Sequence, residues 1–491
     1  MLNGASRAFC WRAPMEPAGQ TFGILLRRPT LRVVKRVLLG LSLVVAALLV
    51  PDCSGRTEGN LGAAPLRGRD MILVVADSFD GSHLGAAGYG RETTPFLDEL
   101  AASGAFLERA ISQTSWTLSS VVSLLTGVEQ EAHGVMQIDE SLPQSGLSTL
   151  GELFQRRGYR TVGLVQNAVI AEGTGLDRGF DRYEAIPFTA DGAERLIREV
   201  RALTDATERE RPLFLYIHLG PPHMPYQPPE PFRSRFSKGA SGSQVEGSIR
   251  ETTDMMVEEL APSHPDVIRL LELYDGHIAY ADSLIRRSVQ AFESTGRSDP
   301  PVILVTSDHG EAFMQHGAVG HNLFCYEPMI RIPWILSAPG VIEAGRRIPG
   351  TGSLLDVAPT LVELFGLPRP GQPMAGASLV PELMGGGPIE DRPLLISSRY
   401  PRPGREAQLA LVEGPWKFVV RRRGQSAQLF HTAEDPDELV DVLGLHPERG
   451  ARMEALLEER RAEVRGSGAA ARREGGSEGS EGGGGGGETF E

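Results

Sequence analysis

The chain has 491 residues, of which 41% are hydrophobic and 23% are charged, a composition that can bury one large core and a smaller second one. Its formal net charge of −14 at pH 7 argues against a nucleic acid as a partner. The three cysteines, Cys10, Cys53 and Cys325, have no Cys-x-x-Cys spacing, so neither a disulfide framework nor a zinc knot is indicated.

The N-terminal segment has the pattern of an export signal. An apolar stretch at 37–50 has the length of a signal-peptide core and is short for a membrane span. The basic residues before it are Arg27, Arg28, Arg32, Lys35 and Arg36. We therefore expect residues 1–64 to be an export signal or anchor with a linker, and the protein to be exported by a bacterium, periplasmic or anchored to the membrane. Cys53 follows soon after the stretch, as the lipidated cysteine of a bacterial lipoprotein does, although Pro51 and Asp52 before it are a poor match to the small residues expected there. A cleaved signal, a lipoprotein and an uncleaved anchor therefore remain open.

Two predicted strands end in residues that can bind a metal ion. The apolar run Met71–Ala76 is followed by Asp77, and the run at 302–307 is followed by Asp308 and His309. In an open α/β sheet the ligand crevice lies outside the carboxyl ends of the strands. We therefore expect these three side chains to meet at one edge of the sheet.

A predicted helix at 116–127 opens at Thr117. Its hydroxyl would lie among the free N–H groups of the first turn, which is an anion site with a nucleophile in it. Together with this hydroxyl, the donors of Asp77, Asp308 and His309 can bind one divalent metal ion. The imidazole shifts the preference toward Mn²⁺ or Zn²⁺ over an all-oxygen calcium cage, with Mg²⁺ and Ca²⁺ left open. A simple helix cap is the alternative role for Thr117.

Histidines are expected to form a second layer around this site. His218 follows a strand-like run at 213–217, and His321 lies in the loop after the second strand. A histidine can protonate a leaving oxygen or hydrogen-bond a substrate anion, and we assign these catalytic roles to both residues. His223 and His316 are weaker candidates, with a structural role as the alternative. An obvious Asp-x-x-x-His element is missing there, so one metal ion is expected rather than two.

Apolar strand-like runs alternate with helical patterns along most of the chain. This alternation predicts an α/β fold with a largely parallel sheet and helices on both faces. We assign residues 65–380 to this catalytic domain. Its predicted helices are at 95–105, 149–157, 192–206, 267–294 and 356–364. The Gly/Ser-rich segment at 238–248 is predicted to be a mobile loop near the substrate mouth.

Residues 381–465 are predicted to form a smaller C-terminal α+β unit with an antiparallel sheet. Its strands are predicted at 394–398, 407–413, 416–422 and 427–430, and a closing helix at 447–464. Lys417, in the third of these strands, is predicted to be a solvated residue rather than a substrate contact. The Gly-rich tail at 466–491 cannot bury enough apolar surface to order itself.

The motifs along the chain resemble those of the sulfatase family, part of the alkaline phosphatase superfamily. They are densest at 72–134 and continue to about residue 439. The main pieces are Asp77, His83-Leu-Gly-Ala-Ala-Gly-Tyr89, Thr94-Pro-Phe-Leu-Asp98, Ser123-Leu-Leu-Thr-Gly127, His133-Gly134, Thr306-Ser-Asp-His-Gly-Glu311, Gly320-His321 and Asp356-Val-Ala-Pro-Thr360. The resemblance implies an alkaline-phosphatase-like fold, a divalent metal ion and the hydrolysis or transfer of an ester group.

The chain departs from the sulfatase pattern where the family carries its reactive group. Thr117 occupies the position of the cysteine or serine that becomes formylglycine, and a threonine cannot give that aldehyde. Ser119 and Val121 replace the proline and arginine of the signature, Ser78 replaces the second aspartate, and Gln166 replaces the lysine of the Gly-Lys-Trp-His segment. What remains is similar to the threonine-type relatives, which are phosphoglycerol transferases, phosphoethanolamine transferases and some phosphodiesterases.

We therefore expect a metal-dependent hydrolase or transferase of phosphate, phosphonate or sulfate esters that forms a covalent intermediate on Thr117. Its partner would be an anionic ester, whether a small molecule, a lipid head group or a glycan. One alternative is a true sulfuric ester hydrolase that uses an unmodified hydroxyl. Another is a catalytically silent member that serves as a binding or scaffold protein, against which the intact metal-binding residues argue.

Overall fold

The computed structural model describes residues 64–476 apart from short gaps at 144–145, 204–209, 238–241, 298, 322–323, 399–407 and 422–425. The chain divides into two compact units, Met1–Leu61 and Gly62–Glu491, and the described residues belong to the second. The predicted export signal, Cys53 and residues 477–491 lie outside them. Within the described part, every helix is too short or too polar to span a bilayer.

A nine-stranded sheet forms the centre of the fold. The described strands are, in chain order, β1 Met71–Ala76, β2 Ala105–Ile111, β3 Arg160–Val165, β4 Arg182–Ala185, β5 Leu213–Leu219, β6 Val302–Thr306, β7 Ala312–Phe313, β8 Val319–Gly320, β9 Arg331–Ile332, β10 Trp334–Ser337, β11 Arg346–Ser353, β12 Leu394–Ser398, β13 Gln408–Glu413, β14 Trp416–Arg421 and β15 Ala427–His431. The sheet order is β11-β2-β10-β6-β1-β5-β3-β4, with β9 beside β2. Strand β1 pairs in parallel with β5 and β6, whereas β9 and β10 run antiparallel to their neighbours. The predicted largely parallel sheet is therefore confirmed.

Helices cover both faces of this sheet. The described α-helices are, in chain order, α1 Pro95–Ser103, α2 Thr117–Thr126, α3 Gln130–His133, α4 Leu150–Arg156, α5 Ala190–Arg201, α6 Phe232–Arg235, α7 Ile249–Val257, α8 Pro265–Glu293, α9 Glu327–Ile330, α10 Val357–Phe365, α11 Val380–Leu383 and α12 Pro447–Gly476. In β1, Leu73 and Val75 pack into a core shared with α2, α4 and α10. Ile72 and Val74 point the other way, into a core shared with α1, α5 and α8. Alternate side chains of one strand thus bury two separate layers of helices.

The strand register aligns the carboxyl ends of β1, β5 and β6. Val75 pairs with His218 on one side and with Thr306 on the other. Ser307 then ties two of these ends together, because its hydroxyl donates to the carbonyl of Ala76 over 2.6 Å and accepts the N–H of Phe79. The residues that follow each strand are therefore held at one edge of the sheet.

The first predicted helix is too long. It ends at Ser103 rather than at Ala105, which begins strand β2. Gly104 makes the change of direction possible, since a Cβ atom there would lie 2.4 Å from the carbonyl oxygen of Leu336. A close backbone approach of this kind is not visible in the local pattern of apolar residues.

The C-terminal unit contains a four-stranded sheet in the order β12-β13-β14-β15, with antiparallel pairing as predicted. One face packs on α9 through Ile330 and Ile396. The other face is covered by α12 through Met453 and Leu457. Helix α12 continues to Gly476, beyond its predicted end at Val464.

The prediction that Lys417 is solvated is wrong. The side chain is fully buried, and its Nζ lies 2.9 Å from Oε1 of Glu438 and 3.5 Å from Oε1 of Glu327. Arg109 contacts Glu327 from the other side at 2.6 Å. Burial raises the pKa of Glu438 to about 7. The local sequence could not reveal this network, because the carboxylates come from segments far from Lys417 along the chain.

Candidate active and metal site

Three buried donors meet at the carboxyl edge of the central sheet. Ligand atoms of Asp77, His218 and Asp308 all lie within 4.8 Å of one another. Nε2 of His218 lies 3.3 Å from Oδ2 of Asp77, and its Nδ1 lies 3.0 Å from the Tyr216 hydroxyl. His218, which we predicted to be catalytic, thus belongs to the same donor cluster as the two aspartates.

The backbone after Asp77 is held in an unusual conformation. Ser78 has φ 63°, the left-handed region that non-glycine residues rarely adopt. In this position its N–H donates to Oδ1 of Asp308 and its hydroxyl donates to Oδ1 of Asp77, both over 3.1 Å. Ser78 therefore fixes both carboxylates, and the backbone strain lies where a functional site needs a defined geometry.

Thr117 is brought to the same site from the start of α2. The cap residue of this helix is Trp116, without a side-chain cap bond, so the simple cap role for Thr117 is wrong. Instead, its Oγ1 lies 3.2 Å from Nε2 of His309. Nδ1 of His309 donates to the carbonyl of Gly310 over 2.9 Å, which leaves Nε2 as the unprotonated nitrogen.

The predicted donors fit a divalent cation. Oδ2 of Asp308 is buried and has no hydrogen-bond partner among the described residues, although a buried carboxylate oxygen without a partner is costly. Nε2 of His309 lies 3.4 Å from that oxygen. Burial alone would raise the pKa of Asp77, but the nearby histidines, above all His223, hold it well below its ordinary value. A cluster of carboxylate, imidazole and hydroxyl donors suits such an ion.

Asn167 is a site residue that we did not predict. Its Nδ2 donates to Oδ2 of Asp77 over 2.6 Å. The preceding residue, Gln166, turns elsewhere: its amide donates to the carbonyl of Pro187 and accepts the N–H of Gly220. The signal that could have found Asn167 is its place two residues after the end of strand β3, at the same sheet edge.

His321 lies beside the donor cluster. Its Nδ1 lies 3.0 Å from Oε1 of Glu311 and 3.5 Å from the hydroxyl of Ser78, and its ring centre is 4.4 Å from that of His309. Burial lowers the pKa of His321 to about 3 and raises that of Glu311 to about 8. Glu311 is thus within hydrogen-bond distance of Nδ1 of His321.

The two weaker histidine candidates lie in different places, one beside the site and one away from it. The ring centre of His223 is 4.9 Å from that of His321, so His223 lies beside the site. His316 lies away from it, because its Nε2 is 2.9 Å from the carbonyl oxygen of Asp437 and its ring stacks on Tyr326. The structural role is therefore the correct one for His316.

Three known proteins resemble this chain over most of its length. Arylsulfatase K of Bos taurus is 23% identical over 482 aligned residues, which cover 84% of this chain and 85% of that protein. A protein solved in complex with its substrate D-glucosamine-2-N,6-O-disulfate superposes with a TM-score of 0.67 at 17% identity, covering 81% of this chain and 98% of the other. The phosphonate monoester hydrolase of Agrobacterium radiobacter superposes with a TM-score of 0.64 at 21% identity, covering 82% and 96%.

A sequence profile of the sulfatase family matches residues 69–367, a span that carries every donor described above. The solved structures share the alkaline-phosphatase-like fold of this chain. Members of the family generally bind a divalent metal ion, and the cluster of Asp77, His218 and Asp308 is the corresponding candidate site here. The chain belongs to the sulfatase family of ester-hydrolysing enzymes.

Proposed function

We propose that this enzyme cleaves or transfers phosphorus esters through a covalent intermediate on Thr117, with one divalent metal ion in the site. The observation that carries the proposal is the position of the Thr117 hydroxyl, which is buried at a helix N-terminus 3.2 Å from Nε2 of His309. A buried threonine without a capping role, beside two carboxylates, has the surroundings of an activated nucleophile.

The residues that would hold the ion are Asp77, Thr117, Asp308 and His309, with His218 as a further nearby donor. An ion bound there would lower the pKa of the threonine hydroxyl and neutralise charge on the substrate oxygens. The positive end of helix α2 adds about half an elementary charge of stabilisation at the same point. Mn²⁺ and Zn²⁺ suit the mixed nitrogen and oxygen donors better than Ca²⁺ does.

The reaction would proceed in two displacements. Oγ1 of Thr117 forms a bond to phosphorus while the bond from phosphorus to the alcohol oxygen breaks, and the threonine proton passes to water. The leaving alcohol oxygen takes a proton from His321, whose Nδ1 can be resupplied by Glu311 at 3.0 Å. The oxygen of water, or of a second alcohol, then bonds to phosphorus while the bond from Oγ1 of Thr117 to phosphorus breaks. The proton of the attacking group passes to Oγ1, so the free hydroxyl is restored and the phosphoryl group is released on the acceptor.

Two departures from the sulfatase pattern favour phosphorus esters over sulfate esters. Thr117 cannot become an aldehyde hydrate, so a sulfothreonine would lack the easy route by which sulfatases expel sulfate. Val121 and Gln166 replace cationic residues of the sulfatase pattern, and Gln166 is occupied by Pro187 and Gly220. The fold similarity to a phosphonate monoester hydrolase is in keeping with this choice.

The sulfuric ester remains the second candidate, because arylsulfatase K is among the similar proteins. In either case the substrate is an anionic ester. One structural neighbour was solved with a sulfated glucosamine as its substrate, which supports a glycan as the alcohol part ahead of a lipid head group.

The decisive experiment is a substrate panel with the purified protein, made in a host without a formylglycine-generating enzyme. Aryl sulfate, phosphate monoester, phosphate diester and phosphonate ester are compared with added Mn²⁺, Mg²⁺, Ca²⁺ or Zn²⁺. We expect metal-dependent cleavage of a phosphorus ester, abolished in Thr117→Ala and retained in Thr253→Ala, which changes an exposed threonine on α7. A strong preference for sulfate would instead support the sulfuric ester hydrolase. A bound metal without any activity would support the silent scaffold.

We also propose that the catalytic unit acts outside the cytoplasm of a bacterium. The proposal rests on the basic flank and the apolar stretch at 37–50. Whether the segment is cleaved, lipidated at Cys53 or kept as an anchor does not change the compartment of the active site.

A further inference from the structure

Each carboxylate of the candidate metal site has one oxygen that is already occupied by hydrogen bonds. An ionised carboxylate has about four acceptor positions, two on each oxygen. Oδ1 of Asp308 accepts the N–H groups of Ser78 and His309 over 3.1 and 2.9 Å. Oδ2 of Asp308 is buried and has no hydrogen-bond partner among the described residues. Asp308 therefore offers a cation this one oxygen, because both acceptor positions of the other are used.

Asp77 is divided in the same way, but by side chains rather than by the backbone. Nδ2 of Asn167 donates to its Oδ2 over 2.6 Å, and Nε2 of His218 lies 3.3 Å from the same oxygen. A carboxylate oxygen can only accept, so Nε2 of His218 carries a proton and donates it to this bond. Oδ1 of Asp77 accepts the hydroxyl of Ser78 over 3.1 Å, which leaves one acceptor position on Oδ1. Asn167 and His218 thus leave Oδ1 as the oxygen that Asp77 can offer to a cation.

Asn167 is held in this position at the other end of its amide. Its Oδ1 accepts the N–H of Val169 over 3.0 Å and so caps the short 3₁₀ turn Ala168–Ile170. The cap also decides which way the amide faces, because the backbone N–H needs the oxygen as its acceptor. The NH₂ group must then face Asp77. Asn167 therefore connects the turn after β3 to the first carboxylate of the site in one defined orientation.

The atoms that remain available lie around one nitrogen, Nε2 of His309. Oγ1 of Thr117 is 3.2 Å from this nitrogen. Oδ2 of Asp308 is 3.4 Å from it, and Oδ1 of Asp77 is 3.9 Å from it. Ligands bound about 2.1 Å from one ion at tetrahedral angles lie roughly 3.4 Å apart, which is close to these separations. The chain thus supplies one atom from each of four side chains.

We propose that Asn167 is a positioning residue that makes Asp77 a one-oxygen ligand and thereby selects a small ion, such as Mn²⁺ or Zn²⁺, against Ca²⁺. Ca²⁺ takes about 6–8 oxygen ligands and accepts a carboxylate through both of its oxygens, whereas Zn²⁺ is satisfied by about four ligands. Without the amide of Asn167, Asp77 can turn its second oxygen toward the ion, which favours Ca²⁺. The proposal rests on the proposed function in one respect, that the site binds a divalent ion, and does not depend on which ester is cleaved.

The test is isothermal titration calorimetry on the purified full-length protein, stripped of metal with EDTA and titrated with MnCl₂ or CaCl₂. Asn167→Ser keeps an oxygen that can cap the turn, but its side chain is too short to reach Asp77. We expect its affinity for Mn²⁺ to fall about tenfold and its affinity for Ca²⁺ to stay the same or to rise. The preference for Mn²⁺ should therefore narrow by about tenfold or more. Ala168→Ser changes an exposed neighbour in the same turn and should keep the preference of the wild type.

Asn167→Asp is a second variant, which keeps the size and the cap but replaces the donor with a further oxygen, and it should narrow the preference as well. The proposal is overturned if the wild type prefers Ca²⁺, or if both variants keep the wild-type ratio of the two affinities. The second result includes an equal loss for both ions, which a purely structural role of Asn167 would produce.

The result also separates this proposal from the proposed function, because the readout is binding rather than turnover. A wild type that binds neither ion would refute both the role of Asn167 and the metal ion of the proposed function. Ion binding with the expected change in the variants, but without cleavage of any ester, would refute the proposed function alone. Metal-dependent ester cleavage with an unchanged ratio of affinities would refute only the role of Asn167.

Discussion

Oγ1 of Thr117 lies 3.2 Å from Nε2 of His309, although 192 positions separate the two residues along the chain. One comes from the start of a helix and the other from the loop after a central strand. Because the Gly310 carbonyl occupies the other nitrogen of His309, the free lone pair faces the threonine hydroxyl. The pair therefore exists only in the folded sheet and is fixed in one tautomer.

The first prediction separates the hydroxyl of Thr117 from its shape. Thr117→Val keeps the volume but removes the nucleophile, so turnover on the best ester should fall by about 10³-fold or more. Thr117→Ser keeps a hydroxyl and should retain turnover to within about tenfold. Initial rates with metal content measured on the same samples check this. Near-normal rates in Thr117→Val would show that water, and not Thr117, is the nucleophile.

The second prediction concerns the metal. Asp308→Asn keeps an oxygen that can accept the N–H groups of Ser78 and His309, but it removes the charge that a cation needs. Stoichiometric binding of a divalent ion should be lost while the melting temperature changes little. Elemental analysis after dialysis measures the ion, with Asp254→Asn on the exposed face of α7 as the control. Full occupancy in Asp308→Asn would refute the site.

The strand-end residues could be predicted from the sequence, whereas the details of the site could not. Asp77 and Asp308 follow apolar runs, and the geometry of an open sheet brings such positions together. The same rule cannot decide between Gln166 and Asn167, because adjacent residues after a strand point in different directions. The rule also does not predict that Lys417 is buried, because burial of that side chain depends on Glu438 and on how the C-terminal sheet packs.

The third prediction concerns stability against acid. His133 is buried between Ser123, 3.2 Å from its Nε2, and Val135, whose N–H donates to its Nδ1. Burial lowers the pKa of His133 from 6.5 to about 3, so the folded protein keeps the ring neutral while the unfolded chain takes up a proton below about pH 6.5. Its contribution to stability is therefore complete above that pH and is lost as the pH falls toward 3.

In the wild type, the contribution of His133 to the free energy of unfolding falls by about 2 kcal/mol between pH 8 and pH 5. His133→Asn should be less stable at pH 8 but should lose less on acidification. Urea unfolding of both proteins at each pH gives the change in the free energy of unfolding between pH 8 and pH 5. Subtracting the change in the variant from that in the wild type removes the contributions of the other titrating groups, which both proteins share. His264→Asn is the control, because His264 is a half-buried histidine at the N-cap of α8 and asparagine can take over the cap. An equal acid response in His133→Asn and wild type would show that another group is responsible.

The fourth prediction addresses the buried charges of the C-terminal unit. Lys417→Met should destabilise the protein by about 3–5 kcal/mol, because Glu438 is left buried without its cation. Adding Glu438→Gln should recover part of the loss, since the second substitution removes the uncompensated charge. A thermal-melt double-mutant cycle measures the coupling. Additive effects of the two changes would mean that the pair does not interact.

The fifth prediction concerns location. In a bacterial host the full-length chain should be found in the membrane or periplasmic fraction, with the catalytic unit accessible to protease added to spheroplasts. Replacing Arg32, Lys35 and Arg36 with glutamate should retain it in the cytoplasm. Full-length protein in the cytoplasmic fraction with residues 1–50 intact would contradict export.

Helix α12 is joined by ion pairs to α3, the short helix that follows α2. Arg461 and Arg465 on α12 bond to Glu131 on α3, and Arg460 bonds to Glu129 just before it. Glu131 is 8% exposed, so without α12 it would be a poorly solvated anion lacking a counter-ion. During synthesis these arginines are among the last described residues to leave the ribosome. The ion pairs of Glu129 and Glu131 therefore form only after α12 has been synthesised, and a chain truncated before α12 lacks them.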